Sequence, residues 1–268
     1  MISLIIPTYR NSKCLDICLK SATGGKVVDS TEIIVVVDGY VSESEGVLSN
    51  YNDSIKVLRL ENNQGMQTAL NLGVMNASNE NIMIINDDNV LCVGWDSIWK
   101  DIQEGEVITI NQIEPTGPGI FNFPVKNFGK NPDEFDYNAF IKYEPSISKE
   151  DNFTLDGGIF PFVIKKKNYM MVGGFDTMYQ SPFICDWDFF LKLELAGVIF
   201  KRTHAYHFYH FGSVATKNRG GDEDEFKFKA SEQPAAQTFM YKWGHPPRLF
   251  QNNSHSPKGE TIKGIKYE

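Results

Sequence analysis

Short apolar runs alternate with stretches of helical periodicity along the first part of the chain. Ile2-Ser3-Leu4-Ile5-Ile6, ended by Pro7, predicts a strand. Cys14, Leu15, Cys18, Leu19 and Ala22 then recur at helical spacing behind a cap at Asn11 or Ser12. Ile33-Ile34-Val35-Val36-Val37 is an unbroken β-branched run, as expected for a central parallel strand buried on both faces. Ile55-Lys56-Val57-Leu58-Arg59-Leu60 alternates, which predicts a more exposed strand. A helix follows over about 65–76, then the apolar run Ile82-Met83-Ile84-Ile85, and Trp95, Ile98, Trp99 and Ile102 mark another helix. This alternation predicts a doubly wound, largely parallel sheet.

From about 111 to 155 the pattern dissolves into Pro, Gly, Asn and aromatics, and so long an irregular stretch predicts a binding loop. Regularity returns in a strand over 160–164 and a helix over about 186–196 closed by Gly197. Residues 212–224 are polar and glycine-containing, suited to a mobile lid, and 221–229 reads as a solvated helix start. No internal repeat is visible. The expected organisation is a catalytic domain over 1–212, a lid and C-terminal helix packed on it over 213–244, and a tail over 245–268.

Composition narrows the class. The 26 Lys plus Arg face 34 Asp plus Glu, a formal charge of −8, which argues against a nucleic-acid partner. Cys14, Cys18, Cys92 and Cys185 form no paired framework, so a reduced, cytoplasmic compartment is expected. Cys14 and Cys18 share a helix face with Leu15 and Leu19 and read as core. The first strand begins at residue 2, leaving no room for a signal peptide. No apolar run approaches about 18 residues, so no transmembrane segment is expected and membrane contact would be peripheral. Aromatics make up 13%, many of them in 121–143 and 179–211; most read as core, while exposed ones could stack on a ligand.

Two acidic clusters carry the chemistry. Ile85-Asn86-Asp87-Asp88-Asn89 puts carboxylates at the C-terminal end of a buried strand, where open α/β sheets bind ligands. Carboxylates crowded there need a cation or ligand to compensate them. Gly173-Gly174-Phe175-Asp176, followed by Cys185-Asp186-Trp187-Asp188, sets a second acidic group at the start of a helix. One group to hold a metal and one to move a proton makes an enzyme. His204, His207 and His210 recur at spacings of three, which on a strand alternate faces, so they form no three-histidine cage, though one of them could be a ligand.

Ile5-Ile6-Pro7-Thr8-Tyr9, the run from Glu32 to Gly39, Asn63-Gln64-Gly65, Ala69-Leu70-Asn71-Leu72-Gly73, Asn86-Asp87-Asp88, Gly173-Gly174-Phe175-Asp176 and Asp186-Trp187-Asp188 occur in that order. Together, over about 2–212, they resemble a family 2 glycosyltransferase of the GT-A fold. Tyr241-Lys242-Trp243-Gly244 resembles a C-terminal element of many such proteins. The resemblance implies a Rossmann-like α/β fold, with a mixed, largely parallel sheet flanked by helices. It implies inverting transfer of a sugar from a nucleotide diphosphate sugar, UDP-sugar favoured, to an acceptor hydroxyl on a glycan, glycolipid or glycoprotein, with Mn²⁺ or Mg²⁺. A divalent cation compensates the departing diphosphate, and a carboxylate on the opposite face of the sugar takes the acceptor proton. The transition state should be oxocarbenium-like.

Residue by residue, the resemblance places Asp88 on the metal as the second acid of the D-x-D motif, with Asn86 in the first position and Asp87 between them near the nucleotide. Whether Asp87 or Asn86 assists stays open. Asp186 matches the general base of the family's E-D dipeptide, with Cys185 in place of the glutamate. Asp188 is the competing base and otherwise belongs at the sugar, while Asp186 could simply cap its helix. Pro7, Thr8, Tyr9, Asp38 and Asn63 fall at the nucleotide, with the Tyr9 ring against a pyrimidine and Asp38 on uracil or ribose. Val37 replaces a preceding acid, and Met66 and Gln67 stand where some relatives carry a basic residue. Gly173 and Gly174 would let a sugar ring approach the backbone, or else make an ordinary turn. His210, before Phe211-Gly212-Ser213, matches a second metal ligand better than His207 does, and its imidazole favours Mn²⁺ over Mg²⁺; a buried histidine bonded to a carbonyl is the alternative.

Two other classes share features with this reading. A nucleotidyltransferase would need a glycine-rich basic loop after the first strand, and Pro7 to Lys13 contains none. A catalytically silent sugar-binding or scaffold module draws support from the loss of the first D-x-D acid at Asn86.

Overall fold

The computed structural model describes residues 1–116, 123–149, 153–155, 158–179, 181–212 and 232–247. The first half runs β1 (Ile2–Thr8), α1 (Ser12–Gly25), β2 (Glu32–Asp38), α2 (Val41–Leu48), β3 (Lys56–Leu60), α3 (Met66–Met75) and β4 (Asn81–Ile84). It continues through β5 (Asn89–Val90), β6 (Glu106–Ile113), α4 (Tyr137–Ile147), β7 (Phe153–Thr154), β8 (Phe162–Lys165) and α5 (Lys166–Met171). The chain then forms α6 (Cys185–Leu195), β9 (Ile199–His210) and α7 (Glu232–Trp243).

One sheet runs β3-β2-β1-β4-β8-β6-β9-β5, with β7 also paired to β9. β1 to β4 are mutually parallel, and β8 enters antiparallel between β4 and β6. β9 is parallel to β6, while β5 and β7 are antiparallel to β9. The sheet is therefore mixed, with its parallel half at the N-terminus. The β-branched run of β2 is buried between β1 and β3, whereas the alternating β3 is the half-exposed edge. Ile2, Leu4 and Ile6 of β1 face the core under α1, while Ile5 faces the layer of α3, α6 and α7. That two-residue period is why both faces of the sheet are covered. α3 lies close enough that a Cβ on Gly73 would come within 2.5 Å of Ile5.

Three expectations change. The helix marked by Trp95 and Ile98 is a 3₁₀ segment, Trp95–Lys100, because Asp96 is turned inward instead of lining a polar face. Its carboxylate accepts bonds from the backbone of Val27 and Val28 and from Thr31 Oγ1. The irregular stretch from 111 contains the end of β6 and the whole of α4. Asn111 and Gln112 interrupt the apolar pattern of β6, and α4 is masked by Pro145 and by its aromatics. Phe128, Phe135 and Phe140 do not line a loop surface but pack on Tyr209 and Phe211 beneath the end of β9.

In β9, Thr203 pairs with Ile110 but His207 pairs with the next residue, Asn111, so residues 204–206 bulge. The three histidines consequently enter three neighbourhoods. His204 meets Asn111, His207 lies beside Glu144 and Ser148, and His210 ends the strand. All four cysteines are buried and unpaired. Among the described residues no helix is long and apolar enough to cross a membrane. The predicted lid beyond Gly212, the helix start at 221–229 and the tail from 248 lie outside the described residues.

Candidate active site

The parallel half of the sheet brings the C-terminal ends of β1, β2 and β4 to one rim, where β1 and β2 end in Thr8 and Asp38 and Asp87 follows β4 by three residues. Thr8 Oγ1 donates to Asp87 Oδ2 at 2.7 Å and Asn11 Nδ2 donates to Oδ1 at 2.9 Å. Asp87 thus clasps the end of β4 to the turn after β1. Pro7 is buried within β1 opposite Val36, so its ring packs inside and only the following residues reach the rim. Asp38 accepts backbone N–H groups of Gln64 at 2.6 Å and Gly65 at 2.9 Å, which ties β2 to the entry of α3. Gly39 is left-handed, and a Cβ there would meet the backbone N of Asn63 at 2.7 Å. Asn63 itself is exposed beside that contact.

Tyr9 stands edge-to-face with Tyr40, ring centroids 5.5 Å apart. The Arg10 guanidinium lies 4.6 Å over the same ring and pairs with Glu43 at 3.3 Å. Arg10 and Tyr40 both hold positive φ, near 50°, which non-glycine residues keep only when their surroundings compel it. Neither belongs to a recognisable motif; an arginine and a tyrosine directly after two strand ends was the available signal.

The acidic corner is assembled by β5 and β9. Asn89 pairs with His210, and Phe211 N–H donates to the Asp88 carbonyl at 3.3 Å, so the end of β9 returns beside Asp88. His210 Nε2 lies 3.6 Å from Asp88 Oδ2, and its Nδ1 lies 3.2 Å from Glu114 Oε1. Burial opposes charge on this imidazole, but the two carboxylates outweigh it and raise its pKa to about 9, so a cation binding at Nε2 would have to displace a proton from it. Asp88 is only 3% exposed, and its Oδ1 is buried with no hydrogen-bond partner among the described residues. A buried carboxylate oxygen left open beside an imidazole fits a divalent cation that takes its remaining ligands from a diphosphate. No group of three or more His, Cys, Asp or Glu is arranged to hold a metal among the described residues. The Asn86 backbone N–H donates to Asn89 Oδ1 at 3.2 Å, closing the turn that carries Asp88.

Gln67 at the entry of α3 donates to the Ser181 carbonyl just before α6, so the N-terminus of α6 reaches the rim that holds Asp38. Asp186 sits in the first turn of α6. It keeps a window to solvent, yet desolvation by the surrounding protein raises its carboxyl to about 6, against the backbone N–H groups of Trp187 and its own residue. Ile184, not Asp186, is the N-cap of this helix, and it makes no side-chain cap bond.

Asp188 and Gly174 are corrections. Asp188 is 0% exposed. It accepts from Trp243 Nε1 at 2.8 Å and Tyr179 Oη at 3.2 Å, and pairs with Lys242, anchoring α7 to α6. No face of it is left for a sugar. Gly173 and Gly174 close α5, their N–H groups donating to the Met170 and Tyr169 carbonyls. Gly173 needs its left-handed φ of 75°, while at Gly174 a Cβ would meet Asn71 Oδ1 at 2.4 Å. The close approach there is to the protein's own side chains.

The model of glycosyl transferase family 2 matches residues 3–155, more than half of the chain and including the β1, β2 and β4 ends. The chain belongs to glycosyl transferase family 2. Its GT-A fold is shared with S. aureus TarS, at a TM-score of 0.59 and 16% identity over 99% of this chain and 49% of that one. The complex of S. aureus TarS 1–349 with UDP gives 0.56 at 14% identity, covering 99% and 75%. GalNAc-T7, solved with UDP, GalNAc and Mn²⁺, gives 0.55 at 13% identity, covering 78% and 43%. The chain thus spans half or less of the longer TarS and GalNAc-T7 chains. No curated protein sequence matches it. The family match covers Asn86-Asp87-Asp88, whereas Cys185-Asp186 lies beyond it.

Proposed function

We propose that the chain transfers a sugar from a nucleotide diphosphate sugar to an acceptor hydroxyl, with inversion, using Asp186 as general base. The observation that carries this is a pair of carboxylates that differ in what surrounds them. Asp88 leaves a buried oxygen open beside His210, and Asp186 is raised to about 6 by burial. An open buried oxygen suits Asp88 to a cation, and a raised carboxyl suits Asp186 to taking a proton.

Tyr9, with Tyr40 and Arg10 around it, would take the base and ribose, and Asp38 and Asp87 would hold the loops that frame them. Asp88 and His210 would hold a divalent cation, which supplies charge compensation for the departing diphosphate. Asp186 would accept the acceptor proton as the acceptor oxygen bonds to the anomeric carbon. The bond to the diphosphate breaks with its electron pair leaving on phosphate oxygen. A base of pKa about 6 is largely ionised at neutral pH yet basic enough to help. UDP is the favoured nucleotide and Mn²⁺ the favoured ion, in keeping with an imidazole ligand and with the ligands of the TarS and GalNAc-T7 structures. The acceptor would be a glycan, glycolipid or glycoprotein, met in the cytoplasm.

Thermal melts with UDP-, GDP- and dTDP-sugars, each with and without Mn²⁺, test this. Ligand at about a hundred times its Kd adds roughly 2.7 kcal/mol, an easily read shift. A UDP-sugar should raise the melting temperature of the wild type in a Mn²⁺-dependent way, and Asp88→Ala should erase the metal dependence. Absence of any metal-dependent shift with all three donors would overturn the proposal.

A further inference from the structure

We propose that Glu114 is a positioning residue for this cation site. It accepts the Nδ1 proton of His210 and so turns Nε2, with its lone pair, toward Asp88. This rests on the reading of Asp88 and His210 as cation donors.

Sheet register makes the arrangement. β6 and β9 run parallel with Ile113 opposite Tyr209, so the next residue of each, Glu114 and His210, fall side by side. On its other side His210 pairs with Asn89, next to Asp88. Glu114, His210 and Asp88 therefore form a row across three chain segments. The Glu114 backbone is pinned in both directions, its N–H donating to the Pro124 carbonyl at 3.1 Å and its carbonyl accepting from Lys126 at 3.0 Å. Its carboxylate reaches His210 Nδ1 at 3.2 Å, and the two side chains are only 19% and 15% exposed, so water competes weakly for the bond.

A neutral imidazole has one N–H and one lone pair, and the bond made by one nitrogen decides which nitrogen can bind a metal. A carboxylate on Nδ1 therefore selects the tautomer with a free Nε2, fixes the ring plane and makes Nε2 a stronger donor. No local motif marks Glu114, because its partner lies nearly a hundred residues downstream across a strand pair.

The test is a double-mutant cycle read by Mn²⁺ affinity, measured as free Mn²⁺ by electron paramagnetic resonance with UDP present. Glu114→Ala should weaken Mn²⁺ about 10–100-fold, the usual effect of losing such an outer partner. Glu114→Gln, whose amide oxygen still accepts from Nδ1, should restore most of the affinity. In the His210→Ala background, Glu114→Ala should add less than about twofold, since coupled residues lose additivity. Circular dichroism melts of each variant check folding, and the backbone bonds that pin residue 114 do not need its side chain. Wild-type affinity in Glu114→Ala, an equal loss in Glu114→Gln, or a full loss persisting in the His210→Ala background would each overturn the proposal. An unchanged Mn²⁺ affinity in His210→Ala alone would instead refute the cation-donor reading beneath it.

Discussion

Replacing Asp186 with Asn should cost activity and add stability, and the two effects have one cause. The carboxyl is raised from 3.8 to about 6, chiefly by desolvation. A group held above its unfolded value contributes most below about pH 4, and that contribution is lost as pH rises through about 6. At neutral pH the folded protein therefore carries an ionised carboxylate it would rather have protonated. About two units at 1.36 kcal/mol each set a ceiling of roughly 3 kcal/mol, and the window to solvent reduces this to about 1–2 kcal/mol. An uncharged Asn avoids that cost. For a chain of this size each kcal/mol moves the melting temperature by about 2–4 °C. Asp186→Asn should thus melt roughly 3–6 °C above wild type near pH 8, the gap closing toward about pH 4. Sugar transfer should fall about 10²–10⁴-fold while UDP-sugar binding persists. Wild-type transfer should rise with pH through about 6 and then level off. A variant that melts at or below wild type across this range would show that the carboxylate is fully compensated. Near wild-type turnover would remove Asp186 from the chemistry.

Tyr9→Ala should weaken binding of free UDP, not only of the UDP-sugar, in calorimetric titration; equal affinities would mean that Tyr9 only packs on Tyr40. Lys242→Met would leave the fully buried Asp188 with Lys192, 3.7 Å away, as its nearest cation. Breaking a buried pair in this way should cost about 2–4 kcal/mol in denaturant melts, and an unchanged midpoint would mean that this network does not hold α7. Gly174→Ala combines a left-handed φ of 66° with a 2.4 Å clash on Asn71, whereas at Gly173 nothing lies within 4 Å of an added Cβ. Gly173→Ala should therefore cost about 1–2 kcal/mol and Gly174→Ala clearly more, and equal losses would contradict the packing described.

Much of this fold is local information. The β-branched run of β2, the alternation of β3, the periodicity of α1 and α3 and the acidic end of β4 each lie within a dozen residues, so each can be read along the chain. Asp88, Asp186 and His210 could be proposed for the same reason, from short ordered motifs at strand and helix ends. β6 and α4 were not, because Asn111, Gln112 and Pro145 break the periods that betray such elements, and burial of their neighbours overrides that weak local signal. Asp186 and Asp188 look alike in sequence, yet residues two apart on a helix do not share a face. One therefore stays partly exposed, and the other is sealed under Lys242 and Trp243. Glu114 gains its place only because β6 and β9 pair with a three-residue bulge, which advances His210 into register beside it. Motif and period are properties of adjacent residues, whereas register, facing and burial belong to segments that meet only once the chain has folded.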